Sequence, residues 1–148
     1  MSIKTIIIAG ITLLSIYGPY SFKKAGNIES LNSNGIHFFK GTLEEALIEA
    51  KKQDKLLFID VYASWCIPCK QLKETTFKDE KVGSYFNANF INVTVDAETK
   101  EGKKFVEKYG VLGYPTLLII DARGNLIARN IGIQSANRLI SFGKENLQ

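Results

Sequence analysis

Cys66 and Cys69 are the only cysteines of this 148-residue chain, and their placement constrains its fold more than any other feature. They follow the apolar run 56–61, which has the length of a central strand covered on both faces. They also open a helical pattern that continues through Leu72. One helical turn brings residues three apart to roughly 5–6 Å, within the Cα separation that a disulfide tolerates. The spacing predicts a cysteine pair that opens and closes with little backbone movement.

The positions of the two cysteines on the helix predict different reactivities. Cys66 lies near the helix N-terminus, where unpaired amides and the macrodipole favour a thiolate and lower the thiol pKa below about 8.5. Cys69, one turn further in, is expected to be more shielded and to remain a thiol until needed. Cys66 is therefore predicted to attack a substrate disulfide, and Cys69 is predicted to attack Cys66 and release the reduced substrate.

A zinc site and a purely structural disulfide are the competing interpretations of the pair. The chain offers only His37 as a further histidine or cysteine ligand, and two or three ligands do not close a structural zinc site. A structural disulfide between residues three apart would close a very small loop and constrain little of the unfolded chain. A chain of this length also buries a core without cross-links. We therefore favour redox chemistry and expect no bound metal.

The pattern from residue 35 onward predicts alternating strands and helices joined by short connections. Thr42 and Glu45 form a capping box ahead of an amphipathic helix, and the turn 121–125 separates two strands of a hairpin. The predicted elements are strand 36–40, helix 43–53, strand 56–61, a helix from Cys66 through Leu72, helical turns at 82–86, strand 90–95, a helix bearing Phe105, Val106 and Tyr109 that stops at Gly110, strands 116–120 and 126–131, and a final helix with Ala136, Leu139, Ile140 and Leu147 on its apolar side. The order β-α-β-α-β-α-β-β-α predicts an α/β fold, with parallel crossovers between the early strands, an antiparallel edge from the late hairpin, and helices on both faces of a mixed central sheet.

The N-terminal part of the chain has a different character. Residues 1–20 carry a lysine followed by an apolar run, which predicts a signal peptide or signal anchor, with residues 5–20 as a membrane tether if the segment is kept. Residues 21–34 are predicted to be a linker and residues 35–148 the folded domain. We expect an exported protein, with a cytoplasmic one as the alternative. The net charge of +4 comes from scattered lysines without a basic run, so no nucleic-acid partner is expected, and we expect a monomer.

Several segments resemble the thioredoxin superfamily. The segment 60–70, with the sequence DVYASWCIPCK, resembles that family's strand, active-site turn and helix start. The segment 113–116, GYPT, resembles its cis-proline loop, and Gly132 falls where the family has a glycine after its last strand. The segments 76–82 and 111–116 are similar to the C-terminal thioredoxin-like domain of the transmembrane disulfide reductase DsbD. The resemblance implies a thioredoxin-like fold from residue 36 to the C-terminus, and relatives that act outside the cytoplasm.

The resemblance also implies roles for individual residues. Asp60 would be a buried carboxylate close to Cys69 whose pKa is raised by burial and which relays the proton that Cys69 must lose. Pro115 would follow a cis peptide bond that exposes the backbone of Tyr114 for strand-like pairing with an extended substrate. Trp65 would offer an apolar contact surface. The alternatives are an ordinary polar residue at a strand end, a plain loop proline and a locally packed tryptophan.

The residues between and beside the cysteines bear on the direction of the reaction. Ile67 and Pro68 carry neither charge nor side-chain donor, which favours a potential near the thioredoxin end of a scale from roughly −270 mV to about −120 mV. Ser64 stands where relatives often carry an acidic residue, and Tyr114 is bulky beside the proline, so substrate choice can differ from theirs. The resemblance implies protein disulfides as substrates, an upstream thiol as electron donor, and no cofactor beyond the cysteine pair. A disulfide oxidase or isomerase, and a binding module without turnover, are the alternatives.

Overall fold

The computed structural model describes residues 34–147, so the predicted segment 1–20 and nearly all of the predicted linker lie outside the described residues. The described part contains five α-helices and four β-strands. In chain order these are α1 (Leu43–Gln53), β1 (Leu56–Tyr62), α2 (Ile67–Glu74), a 3₁₀ turn (Thr76–Lys78), α3 (Glu80–Asn89), β2 (Phe90–Asp96), α4 (Lys100–Tyr109), β3 (Thr116–Ile120), β4 (Leu126–Ile131) and α5 (Ala136–Glu145). The predicted α/β class with a mixed sheet is confirmed.

The four strands form one sheet in the order β2-β1-β3-β4. β1 runs parallel to β2, so the predicted parallel crossover between these early strands is confirmed. β3 runs antiparallel both to β1 and to β4, although helix α4 connects it to β2. The loops after β1 and β2 and the loop before β3 therefore meet at one edge of the sheet, where the cysteines lie.

The prediction of a strand at 36–40 is wrong. Phe39 donates its backbone N–H to the Asn92 carbonyl of β2 at 2.7 Å, but the neighbouring backbone donors turn elsewhere. The N–H of Ile36 donates to the Phe77 carbonyl, and the N–H of His37 donates to the Asn87 side chain. A β-ladder needs successive backbone hydrogen bonds between two strands, and this segment makes one such bond with β2.

Helices cover both faces of the sheet because the side chains of β1 alternate between them. Leu57 and Ile59 pack with residues of α1 and α4, whereas Phe58 packs with residues of α2, α3 and α5. α5 contributes Leu139 and Phe142 to the second cluster. The expectation that Leu147 belongs to its apolar side is wrong, because α5 ends at Glu145. The two clusters pack against opposite faces of β1, so the C-terminal end of this strand is held in place where it leads into the cysteine turn.

Candidate active site

The cysteine turn connects β1 to α2. Cys66 is the N-cap of α2, its Sγ accepts the backbone N–H of Cys69 at 3.1 Å, and Pro68 occupies the first helical turn. The backbone N–H of Cys66 donates to the Ala63 carbonyl at 3.1 Å. The two cysteines form a disulfide with their Cα atoms 5.3 Å apart. The strand, turn and helix start thus place the pair where the sequence predicts it.

Exposure does not separate the two cysteines as expected, since Cys66 is 3% and Cys69 is 6% exposed. Their surroundings separate them instead. Cys66 borders an open groove on the outer side of the turn, whereas Cys69 borders a small cavity behind it. The asymmetry between the two sulfurs is therefore one of neighbours and not of accessible area.

The groove beside Cys66 is apolar and has a volume of about 440 Å³. It is lined by the cysteine turn and by the loop before β3, namely Trp65, Cys66, Ile67, Pro68, Leu112, Gly113 and Tyr114. The rings of Trp65 and Tyr114 meet edge to face with centroids 6.0 Å apart. Leu112 is 93% exposed and was not singled out from the sequence. An apolar side chain left almost wholly in water beside a reactive sulfur points to a contact surface.

The loop before β3 forms the far wall of this groove. The Tyr114–Pro115 peptide bond is cis, and the Pro115 carbonyl accepts the backbone N–H of Gly132 at 2.8 Å. The Thr116 hydroxyl donates to the Gly113 carbonyl at 2.7 Å. These bonds fix the backbone of the loop opposite the disulfide.

The cavity beside Cys69 has a volume of about 150 Å³ and contains the buried carboxyl of Asp60. Its lining consists of Asp60, Tyr62, Ala63, Ser64, Cys69, Lys70 and Lys73. Asp60 is 5% exposed, and its Oδ1 has no hydrogen-bond partner among the described residues. Burial raises the pKa of Asp60 to about 7, and the positive charge of Lys73 opposes that rise. The cavity therefore holds a carboxyl that changes its protonation state near neutral pH.

Two charged residues near the cysteine turn escaped the sequence analysis. Lys73 lies four residues after Cys69, one helical turn along α2, which is a spacing that the sequence could have indicated. Glu98 lies in the loop after β2, and its Oε2 accepts the backbone N–H of Ser64 at 2.9 Å. No local pattern links Ser64 to a residue 34 positions later. Among the residues that the structure describes, no group of three or more His, Cys, Asp or Glu side chains could hold a metal ion.

A disulfide at the N-terminus of a helix, set at a sheet edge against a fixed proline loop, defines the class of thioredoxin-fold dithiol proteins. The family described as Thioredoxin-like domain matches residues 43–145. The chain belongs to this family of disulfide oxidoreductases, whose chemistry is thiol–disulfide exchange.

Individual relatives agree with this assignment. The thiol:disulfide interchange protein DsbD of Yersinia pestis is 36% identical over 94 residues, which are 62% of this chain and 16% of that protein. The solution structure of a candidate disulphide-isomerase from Bacteroides thetaiotaomicron has a TM-score of 0.69 at 42% identity, covering 77% of this chain and 94% of that one. The oxidised C-terminal domain of DsbD from Neisseria meningitidis has a TM-score of 0.62 at 28% identity, covering 74% and 99%. The predicted resemblance is confirmed, and the chain spans about a sixth of the length of the first curated relatives.

Proposed function

We propose that this protein is a protein-disulfide reductase that works outside the cytoplasm, with Cys66 as the attacking and Cys69 as the resolving residue. The observation that carries the proposal is the division of the site. Cys66 borders an open apolar groove of about 440 Å³, and Cys69 borders a cavity of about 150 Å³ that contains Asp60. A macromolecular substrate can reach the first sulfur, while the second has a proton acceptor beside it.

In the first step the reduced protein attacks with Cys66. Its N-cap position favours the thiolate, because the backbone N–H of Cys69 in the first turn of α2 already donates to the sulfur at 3.1 Å. The thiolate attacks one sulfur of the substrate disulfide, forms a mixed disulfide with it and expels the other substrate sulfur as a thiolate. The substrate disulfide bond is broken in this step, and one protein–substrate bond replaces it.

In the second step Cys69 releases the substrate. Asp60, in its carboxylate form, accepts the Cys69 proton within the shared cavity, directly or through a water molecule. The Cys69 thiolate attacks Cys66 Sγ, forms the Cys66–Cys69 disulfide and expels the second substrate thiolate. The substrate gains two electrons and the cysteine pair loses two, so an upstream thiol donor must restore the dithiol before the next turnover. The cysteine pair itself is the redox group, and no other cofactor enters these steps.

The groove defines the kind of substrate. Its walls are Trp65 and the Leu112–Tyr114 loop, which are apolar and carry no charge. We propose that an extended segment around the substrate cysteine lies in this groove, with Tyr114 and Pro115 alongside its backbone. A partner whose cysteine is flanked by apolar residues fits these walls best.

The direction and location of the reaction are supported by the sequence and the relatives. Ile67 and Pro68 place no charge and no side-chain hydrogen-bond donor between the cysteines. The Cys66 thiolate therefore lacks the extra stabilisation of the reduced form that makes a cysteine pair strongly oxidising. The relatives named thiol:disulfide interchange protein DsbD favour electron exchange with other thiol proteins. The apolar segment in residues 1–20 supports export. Within residues 34–147 no helix is long and apolar enough to cross a membrane.

Disulfide isomerisation on the same scaffold is the second candidate, favoured by the 42% identity to the candidate disulphide-isomerase of Bacteroides thetaiotaomicron. The reduction potential of the Cys66–Cys69 pair, measured against dithiothreitol and glutathione buffers, decides between the two. A value near or below about −250 mV is expected for the reductase. A value above roughly −180 mV would overturn that direction and make the protein an isomerase or oxidant.

A further inference from the structure

The loop between β2 and α4 is held firmly against the end of β1. The backbone N–H of Ala97 donates to the Tyr62 carbonyl at 2.9 Å, and Asp96 Oδ1 accepts the backbone N–H of Glu98 at 2.9 Å. At Gly102 in the first turn of α4, a Cβ atom would lie 1.8 Å from the Asp96 carbonyl oxygen, so helix and loop are in direct contact. The backbone of Glu98 is therefore fixed relative to the strand that carries the cysteine turn.

From this loop the side chain of Glu98 reaches the cysteine turn. Its Oε2 accepts the backbone N–H of Ser64 at 2.9 Å, two residues before Cys66. Hydrogen bonds from the Ser64 side chain and backbone, followed by the charge of Lys103 and a hydrogen bond from Trp65, lower the pKa of Glu98. At neutral pH the turn is thus bonded to a carboxylate anion.

We propose that Glu98 is a positioning residue of the active site, whose carboxylate holds Ser64 and thereby sets Trp65 beside Cys66 at the wall of the groove. The inference deepens the proposed function, on which it rests. Trp65 is 66% exposed and packs edge to face on Tyr114, so packing alone constrains this ring weakly. The charge-assisted hydrogen bonds that the Glu98 carboxylate accepts, from the preceding residue Ser64 and from Trp65 itself, supply the missing constraint.

The fluorescence of Trp65 tests the contact directly, because it is the only tryptophan of the chain. In the oxidised protein the cysteines do not titrate, so acidification reports on carboxylates near the ring. The charged or titratable groups that face Glu98 are Lys103 of α4, Tyr62 of β1, and Asp96 of its own loop. We expect an emission change with a midpoint below the ordinary glutamate value of about 4.3.

The assignment of that transition depends on two matched variants. Glu98→Gln should abolish it, and Glu101→Gln, which removes an exposed carboxylate from the first turn of α4, should leave it unchanged. A transition that persists in Glu98→Gln belongs to another carboxylate and would overturn the proposal. This readout needs no turnover, so it stands even if the protein proves not to be a reductase.

Steady-state kinetics of two Glu98 variants then distinguish the contribution of the hydrogen bond from that of the negative charge. Glu98→Ala should raise the KM for a protein disulfide about threefold to tenfold with little change in kcat, because the cysteine turn loses its charge-assisted hydrogen bonds to Glu98 while water takes over part of their role. Glu98→Gln keeps an oxygen acceptor for the Ser64 N–H and should stay within about twofold of the wild-type KM. Wild-type values for Glu98→Ala, in both KM and Trp65 emission, would overturn the positioning role. If the wild-type protein does not reduce protein disulfides, the proposed function is refuted instead.

Discussion

The groove beside Cys66 and the cavity beside Cys69 lie one helical turn apart and differ in almost every physical respect. The groove is open, about 440 Å³ in volume, and walled by uncharged side chains. The cavity has about 150 Å³ and contains a buried carboxyl with two lysines at its lining. The two cysteines themselves are equally inaccessible, at 3% and 6% exposure. In this site the surroundings of each sulfur, and not its accessible area, distinguish the attacking from the resolving residue.

Replacing each cysteine by serine is expected to have the largest effect and tests the comparison most directly. Cys69→Ser leaves Cys66 able to attack but removes the resolving thiol, so stable mixed disulfides with substrate proteins should accumulate. Cys66→Ser removes the sulfur at the groove and should form none. Non-reducing electrophoresis and mass spectrometry of the adducts measure both. Adducts that form through Cys69 in the Cys66→Ser variant would invert the assignment.

Removing the carboxyl from the cavity should change stability with a defined pH dependence. Asp60 has a pKa of about 7 in the folded protein, raised from 3.8 by burial. The folded state therefore holds a proton that the unfolded chain releases, and stability falls as pH rises from about 4 to about 7 and then levels off. Relative to Asp60→Asn, the wild type should lose up to about 4 kcal/mol across this window. Urea denaturation between about pH 4 and pH 8 measures the difference.

A surface variant provides the control for this measurement. Asp54 ends α1 with a positive φ of 52°, a conformation that asparagine accepts readily, so Asp54→Asn removes a carboxyl without straining the backbone. A difference between wild type and Asp60→Asn that is constant across the pH range would show that Asp60 is ionised throughout. The cavity would then hold no proton acceptor that titrates near neutral pH.

The sequence predicts the parts of this molecule whose signals are local. The boundaries of α1 agree with the predicted 43–53, because the capping box of Thr42 and Glu45 marks the start. The end of α4 at Gly110, with a φ of 58°, agrees with the glycine signal. The position of the cysteine pair between β1 and α2 follows from the apolar run before it. Each of these predictions depends on residues within a few positions of one another.

The failures concern interactions between distant segments. The segment 36–40 has a strand-like composition, yet the Asn87 side chain and the Phe77 carbonyl take its first backbone donors. Glu98 reaches Ser64 across 34 positions, and Leu112 meets the cysteine turn only after the chain has crossed the sheet. Periodicity carries no information on such pairs, so the neighbours that distinguish the two cysteines could not be predicted.

Leu112 offers a way to sharpen the description of the groove. Its side chain is 93% exposed, so Leu112→Ser should leave the free energy of unfolding nearly unchanged. If substrates cover this side chain, the KM for a protein disulfide should rise about fivefold, on the order of 1 kcal/mol of lost apolar contact. Ile48→Ser, on the exposed side of α1 and away from the groove, is the matched control. Equal KM values for the two variants would show that substrates do not contact this wall.

The smallest expected effect comes from Lys73, whose charge acts on Asp60 from the rim of the cavity. This charge lowers the pKa of Asp60, so Lys73→Gln should raise it above about 7. Less Asp60 carboxylate is then present at neutral pH to accept the Cys69 proton, and the release of a preformed mixed disulfide should slow. Because the lysine is exposed, solvent screening keeps the change modest.

Stopped-flow measurement of that release as a function of pH distinguishes this charge effect from a structural one. In Lys73→Gln the rate should reach its plateau at higher pH, with the plateau itself unaltered, because only the ionisation of Asp60 has moved. Lys70→Gln is the matched control, since Lys70 lines the same cavity but does not contribute to the shift at Asp60. A midpoint that moves down, or moves equally in both variants, would mean that Lys73 does not act through Asp60. The Asp60 carboxyl would then act on Cys69 with its pKa set by burial and not by the charge of Lys73.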